Sequence, residues 1–190
     1  IRNWSIDLVL QQSPDLLAYH DKPVHIPGSL SGIVKRDGNR EHMSLNELKP
    51  TSLTALIDFL QSDEAITLVA QYKAHAGYPF NCSTFSWEAL DDFAQAGIQA
   101  MEKTFEVDRR FQSLDKPSPH VVNLVMVTHN GTTAPWVIDI TSDQHVGIEE
   151  PVNIKSTLDL ARYRLIIRAY HTQSSPLVGP LAYFDKLYIN

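Results

Sequence analysis

Residues 120–141 read HVVNLVMVTHNGTTAPWVIDIT, and this stretch is the clearest indication of the fold. Apolar, largely β-branched residues with a two-residue period run from His120 to Thr128 and again from Ala134 to Thr141, which is typical of strands. Between them lies Asn130-Gly131, the pair most typical of a two-residue type I′ turn, because both turn positions require a positive φ. The stretch therefore predicts an antiparallel hairpin.

Further short-range signals precede this hairpin. Asp37-Gly38 predicts a second, shorter hairpin. Ser44 and Glu47 form a capping box, but Pro50 leaves room for only about one helical turn. Near the start of the chain, alternating apolar residues predict a strand on Trp4, Ile6, Leu8 and Leu10.

The middle of the chain carries helical patterns. Ser52 is placed to cap a short amphipathic helix, with apolar residues at Leu53, Leu56, Ile57 and Leu60. Residues 65–73 alternate and favour a strand, although a helix capped by Ser62 is the alternative. The longest pattern predicts a helix from Trp87 to about Gln112, capped by Ser86, whose buried stripe is Trp87, Leu90, Phe93, Ala94, Ile98, Met101 and Phe105.

Two more strands are predicted towards the end of the chain, over residues 162–171 and 182–189. Strands at both ends and helices in the middle indicate one α+β domain over residues 1–190. Its largely antiparallel sheet would be formed by the N- and C-terminal strands, with the helices packed on it. A β-sandwich with a helical insertion is the alternative.

Composition excludes several classes of protein. Cys82 is the single cysteine among 190 residues, so the chain forms no disulfide with itself and no zinc site made of several cysteines. We expect an inert, buried thiol in a loop that enters the long helix. No apolar run approaches the roughly 20 residues that cross a bilayer, so no membrane partner is expected. No nucleotide-binding or metal-binding sequence motif is present, and we expect no cofactor and no metal.

Two sets of residues are candidates for function. His120, His129 and His171 stand at predicted strand ends, where folding could bring them near Asp139 for general acid and base chemistry on a phosphodiester. Arg162, Arg164, Arg168 and Tyr170 share the solvent face of one predicted strand and could bind a protein partner or an anion such as RNA. An internal pairing of these arginines with Glu102, Glu106 or Asp108 is the alternative.

A short loop resembles one known family. Residues 26–32 read IPGSLSG and are similar to the Ile-Pro-Gly-Ser-Ser-Leu-x-Gly loop of Cas7-like CRISPR backbone subunits. The second serine is missing, and a hairpin signal follows where that family begins a helix. The resemblance implies an RNA-binding subunit.

Three functions follow from these observations. The first is a non-catalytic interaction or structural module with a protein partner, since no nucleophile, acid and base converge in the sequence. The second is a phosphodiester-directed enzyme, and the third is the RNA-binding subunit. The sequence leaves the cellular compartment open.

Overall fold

The computed structural model describes residues 16–26, 28–74, 81–107, 118–140, 177–185 and 188–189. Within these ranges the strands are β1 (Ser31–Arg36), β2 (Asn39–Ser44), β3 (Thr51–Ser52), β4 (Ala100–Val107), β5 (Ser118–His129), β6 (Thr132–Asp139), β7 (Leu177–Pro180) and β8 (Tyr188–Ile189). The α-helices are α1 (Leu53–Leu60), α2 (Asp63–Ala74) and α3 (Asn81–Gln95). Single 3₁₀ turns occupy Leu17–Tyr19, Leu45–Glu47 and Leu181–Phe184.

The described strands form one sheet in the order β2-β1-β4-β5-β6-β7, and every neighbouring pair in this order is antiparallel. The short β8 pairs antiparallel with the end of β4, and β3 pairs parallel with the end of β5. The predicted α+β class with a largely antiparallel sheet is therefore confirmed.

Hydrophobic side chains cover both faces of the sheet. On one face, α1, α2 and α3 bury a cluster that includes Phe93, Val125 and Trp136. On the other face, segments outside the α-helices bury a second cluster that includes Phe105 and Tyr188. Since the helices lie on one face of one sheet, the alternative of a β-sandwich is not what the described residues form.

The local signals that do not depend on distant residues are confirmed. Asp37 and Gly38 take φ values of 52° and 80°, and Asn130 and Gly131 take 50° and 78°, at the two hairpin turns. The Glu47 side chain accepts a hydrogen bond from the Ser44 amide at 2.9 Å. Ser52 Oγ accepts from the Ala55 amide at 3.1 Å and caps α1.

The long helix predicted from Trp87 to Gln112 is wrong at both ends. It begins earlier, at Asn81, and ends at Gln95 because Gly97 takes a φ of +77° in a C-terminal cap of the Schellman type. In that cap the Gly97 amide donates to Ala94 O at 3.0 Å, and the Ile98 amide donates to Phe93 O at 2.9 Å. The chain then continues as strand β4.

The predicted stripe of this helix is therefore divided between the two faces of the sheet. Leu90, Phe93 and Ile98 are buried under the helices, whereas Met101 and Phe105 are buried on the opposite face. Trp87 is only half-buried, with Lys35 and Arg40 over its ring at 4.8 and 4.2 Å from the centroid, and Ala94 is exposed.

Two predicted strands are also wrong. Residues 65–73 belong to α2, and the alternative with a Ser62 cap is the one that forms, since Ser62 Oγ accepts from the Ala65 amide at 3.3 Å. Residues 182–189 contain most of the 3₁₀ turn Leu181–Phe184, whose four side chains are all buried, and among the described residues of this range the strand is limited to Tyr188–Ile189.

The predicted strands near Trp4 and at 162–171 lie outside the described residues. No helix in the described ranges is long and apolar enough to cross a membrane.

Candidate functional site

The hairpin of β5 and β6 brings a histidine next to a carboxylate. Leu124 is paired with Val137, and His120 and Asp139 lie on the same face of the sheet as this pair because side chains alternate along a strand. His120 Nε2 is 2.9 Å from both Asp139 Oδ1 and Asp139 Oδ2. Both residues are buried, with exposed fractions of 1% for His120 and 0% for Asp139.

A tyrosine of strand β8 also contacts this carboxylate. Tyr188 on β8 lies opposite Val107 of β4, and its hydroxyl donates to Asp139 Oδ2 at 2.6 Å. The Tyr188 side chain is fully buried, and its ring lies 5.4 Å from the ring of Phe105. Asp139 therefore accepts hydrogen bonds from both His120 and Tyr188.

The thiol of Cys82 interacts electrostatically with the imidazole of His120. Cys82 is in the first turn of α3 and is partly buried, and hydrogen bonding with the His120 side chain and the Val121 backbone is among the causes that lower the pKa of its thiol. His120, Asp139 and Tyr188 form one hydrogen-bonded chain, and we call these three residues together with Cys82 the relay.

Two polar contacts hold the start of α3 against β5. Ser86, one helical turn after Cys82, donates through Oγ to Val121 O at 3.1 Å. The Asn123 side-chain amide donates to Ser86 O at 2.9 Å. Both Ser86 and Asn123 are buried, so these contacts fix the helix turn that carries the thiol relative to the strand that carries the imidazole. We call Ser86 and Asn123 the clamp.

Charge within the relay favours the imidazolium form of His120. Burial lowers the pKa of His120, but the charge of Asp139, its hydrogen bond and the contact with Cys82 outweigh burial and raise the pKa to about 10. A protonated imidazole at neutral pH follows from this pKa.

The pKa of the Cys82 thiol is lowered, whereas that of His120 is raised. Burial raises the pKa of Cys82 and the charge of Asp139 raises it further, but the hydrogen bonds with His120 and Val121 and the charge of His120 lower it below its ordinary value. The N-terminus of α3 adds a positive partial charge at the same place. The site therefore favours a thiolate paired with an imidazolium.

The arrangement is suited to nucleophilic chemistry on a carbonyl carbon. A thiolate next to an imidazolium is a strong nucleophile, and an imidazole oriented by a carboxylate transfers the proton that the leaving group needs. The backbone amide of Cys82 is among the first four of α3, which have no acceptor within the helix, so it can donate to a developing oxyanion.

The residues proposed from sequence divide into three groups. His120 and Asp139 are brought together. His129 is not part of the relay: its Nε2 lies 3.2 Å from Asn130 Nδ2, and its ring packs edge-on against His20 at 5.8 Å. The remaining predicted site residues, His171 and the binding set Arg162, Arg164, Arg168 and Tyr170, lie outside the described residues.

Cys82 and Tyr188 are the two relay residues that sequence reasoning missed. Cys82 was expected in a loop, and the early start of α3 places it in a helix instead. The signal that could have identified it is a lone cysteine in a chain that also carries a strand histidine and a strand aspartate. Tyr188 gave no such signal, because its position depends on the pairing of β8 with β4.

A cleft and an acidic group with a shifted pKa lie elsewhere in the described residues, away from the relay. A cleft of about 470 Å³, lined by residues that include Asp58, Glu64 and Asp92, lies at the C-terminal end of α3, away from Cys82. Burial, together with the charges of Asp91, Glu64 and Glu88, raises the pKa of Asp92. Among the described residues no group of three or more histidine, cysteine or acidic side chains could hold a metal ion.

Comparison of the chain with models of protein families, with curated proteins and with solved structures finds no match. The function of the protein is therefore inferred from the relay.

Proposed function

We propose that this protein is a thiol-dependent acyl-transfer enzyme that acts on an amide or ester carbonyl. The observation that carries the proposal is the buried pair of His120 and Asp139 at 2.9 Å, in which His120 also lowers the pKa of the Cys82 thiol in the first turn of α3. In this proposal Cys82 is the nucleophile, His120 transfers the proton, and Asp139 orients the imidazole.

The reaction has two steps. In the first, the Cys82 thiolate attacks the carbonyl carbon, a C–S bond forms, and the oxyanion faces the Cys82 amide. The His120 imidazolium then gives its proton to the leaving nitrogen or oxygen, the bond to the leaving group breaks, and a thioester remains. In the second, His120 removes a proton from water or another nucleophile, which attacks the thioester and releases Cys82.

The burial of Asp139 supports catalysis over a purely structural role. A buried ion pair is costly unless it is well hydrogen bonded, and hydrophobic replacements are often at least as stable. Here a carboxylate with 0% exposure is directed at an imidazole that also contacts the single thiol of the chain. Strongly shifted pKa values in such a cluster are typical of active sites.

A nitrophenyl ester tests the proposal, because its acyl group needs little binding specificity. We expect a rapid release of nitrophenol close to one equivalent per protein, which Cys82→Ala and His120→Ala abolish. His129→Ala is the matched control and should retain the release, since His129 lies outside the relay. Release that persists in Cys82→Ala would overturn the proposal.

The functions proposed from sequence stay predictions. The interaction module rests on Arg162, Arg164, Arg168 and Tyr170, and the RNA-binding subunit rests on the loop at residues 26–32. The phosphodiester enzyme needs a second histidine, His129 or His171, in addition to His120. Loss of a phosphodiesterase activity in His120→Ala and in either His129→Ala or His171→Ala would favour it over acyl transfer.

A further inference from the structure

The acyl-transfer proposal uses three residues of the relay and leaves Tyr188 without a role. Its hydroxyl makes a 2.6 Å hydrogen bond to Asp139 Oδ2 in a fully buried position. The ring packs against Phe105 at 5.4 Å and Phe184 at 6.2 Å, and the buried hydroxyl, which needs a hydrogen-bond partner, donates to Asp139. The hydroxyl is the part that packing does not explain.

We propose that Tyr188 is a positioning residue that holds the Asp139 carboxylate in the orientation in which it faces His120. This inference rests on the proposed function. The carboxylate can rotate about its terminal bond, which has no sharp preferred angle, and the one Nε2–H that its two oxygens share does not by itself fix that angle. The bond from Tyr188 to Oδ2 restricts the rotation.

The bond also stabilises the charge of Asp139. A carboxylate at 0% exposure keeps its charge only when its oxygens accept hydrogen bonds, and Tyr188 supplies one of them. Without it the carboxylate holds a proton more readily and supports the imidazolium less. The thiolate of Cys82 then loses part of its counterion.

Through Tyr188, the last described strand, β8, contributes a side chain to the site. Tyr188 is held by the pairing of β8 with β4, where Tyr188 lies opposite Val107 and Ile189 lies opposite Glu106. Among the described residues, the ionisable groups that act on the carboxylate include Tyr188 on β8, His120 on β5 and Cys82 on α3, while Lys103 of β4 lies over the ring of Phe105 at 5.5 Å. Correct pairing of β8 is thus a condition for an active thiol.

Tyr188→Phe tests the inference, because it removes the hydroxyl and keeps the ring. The measurement is the rate of Cys82 alkylation by iodoacetamide as a function of pH, and the single cysteine means that every label reports on the site. We expect the midpoint of the profile to move up by about one pH unit, with a loss of up to about tenfold in rate below the midpoint.

Tyr183→Phe is the matched control. It removes another buried tyrosine hydroxyl from the same C-terminal segment, where the Tyr183 ring packs against Tyr19 at 5.0 Å, and it leaves the Tyr188 bond intact. Its alkylation midpoint should stay at the wild-type value. A shift of equal size in both variants would overturn the inference, because it would indicate loosening of the segment.

A double-mutant cycle with Asp139→Asn gives the sharpest result. If Tyr188 acts through the carboxylate, Tyr188→Phe adds no further shift once Asp139 is neutral. Additive shifts would contradict the inference. If the alkylation midpoint of Cys82 in the wild type were that of an ordinary thiol, the proposed function itself would be contradicted. The two failures are therefore distinguishable.

One measurement needs no variant and applies even if Tyr188→Phe does not fold. A buried hydroxyl proton that is donated to a carboxylate should give a resolved downfield proton resonance. Alkylation of Cys82 removes the thiolate, so we expect this resonance to shift. An unchanged resonance after complete alkylation would overturn the inference.

Discussion

Asp139 is the residue that sets the charge of the relay. It contacts His120 through both carboxylate oxygens, and its charge is the principal reason that the pKa of His120 is raised despite burial. His120 in turn lowers the pKa of Cys82. Two predictions follow from this order of dependence.

The first concerns Asp139→Asn, which keeps the shape of the side chain and removes its charge. His120 should lose its proton at neutral pH, and alkylation of Cys82 should then slow by about tenfold or more, since each pKa unit corresponds to a factor of ten. Asp91→Asn is the control, because Asp91 pairs at 2.6 Å with Lys35 on the surface. An unchanged rate in Asp139→Asn would show that the carboxylate does not act on the thiol.

The second concerns the pH dependence of stability. The pKa of His120 is raised from its ordinary value of 6.5 to about 10, so folding favours the protonated form. The contribution of His120 to stability is complete below pH 6.5 and is lost as the pH rises to about 10.

Urea unfolding at successive pH values measures this loss. Cys82→Ala is the suitable background, because it removes the thiol, whose lowered pKa contributes to stability in the opposite direction. The midpoint of unfolding should fall across this range, and the fall should disappear when Asp139→Asn is added. A stability that rises between neutral pH and pH 10 would contradict the assigned charge.

At the scale of elements, the packing of α3 on β5 places the helix turn that carries Cys82 next to the strand that carries His120. The clamp of Ser86 and Asn123 makes this contact polar at one point, and the cluster around Leu90 and Phe93 makes it apolar along the rest of the helix. The two parts are open to separate tests.

Asn123→Ala tests the polar part. It removes the donor to Ser86 O at 2.9 Å in a site with 0% exposure, and we expect a loss of about 1–3 kcal/mol in the free energy of unfolding. The rate of acylation should fall as well, because the first turn of α3 becomes less fixed. Asn39→Ala, an exposed position on β2, should change neither quantity; a loss as large at Asn39 as at Asn123 would argue against a specific clamp.

Leu90→Ala tests the apolar part. Leu90 is buried between α3 and the sheet, and its truncation should cost roughly 2–5 kcal/mol. The measurement is the free energy of unfolding from urea denaturation. A loss below about half a kcal/mol, the size of a typical surface effect, would mean that this face of the helix is not part of the core.

The elements also show where prediction from sequence stops. Both hairpins and the caps at Ser44 and Ser52 were predictable, because their causes lie within a few residues. The end of the long helix was not predictable, since a spacing of four residues between Met101 and Phe105 fits a strand as well as a helix. Gly97 in a left-handed conformation decides between them.

At the scale of the whole molecule, the relay joins three distant parts of the chain. Cys82 comes from the helical middle, His120 and Asp139 from the central hairpin, and Tyr188 from the last strand pairing. His120 and Asp139 were candidates from sequence because a hairpin is a local structure that brings its two strands together. Cys82 and Tyr188 reach them only through tertiary packing, which a two-residue or 3.6-residue period does not encode.

The central claim is that Cys82 forms a covalent acyl intermediate. The most direct measurement is mass spectrometry of the protein quenched during reaction with a nitrophenyl ester, followed by peptide mapping. We predict one acyl group per protein, located on Cys82, absent in Cys82→Ala, and strongly reduced in His120→Ala. An acyl group on any other residue, or none on Cys82 while nitrophenol is released, would contradict the account.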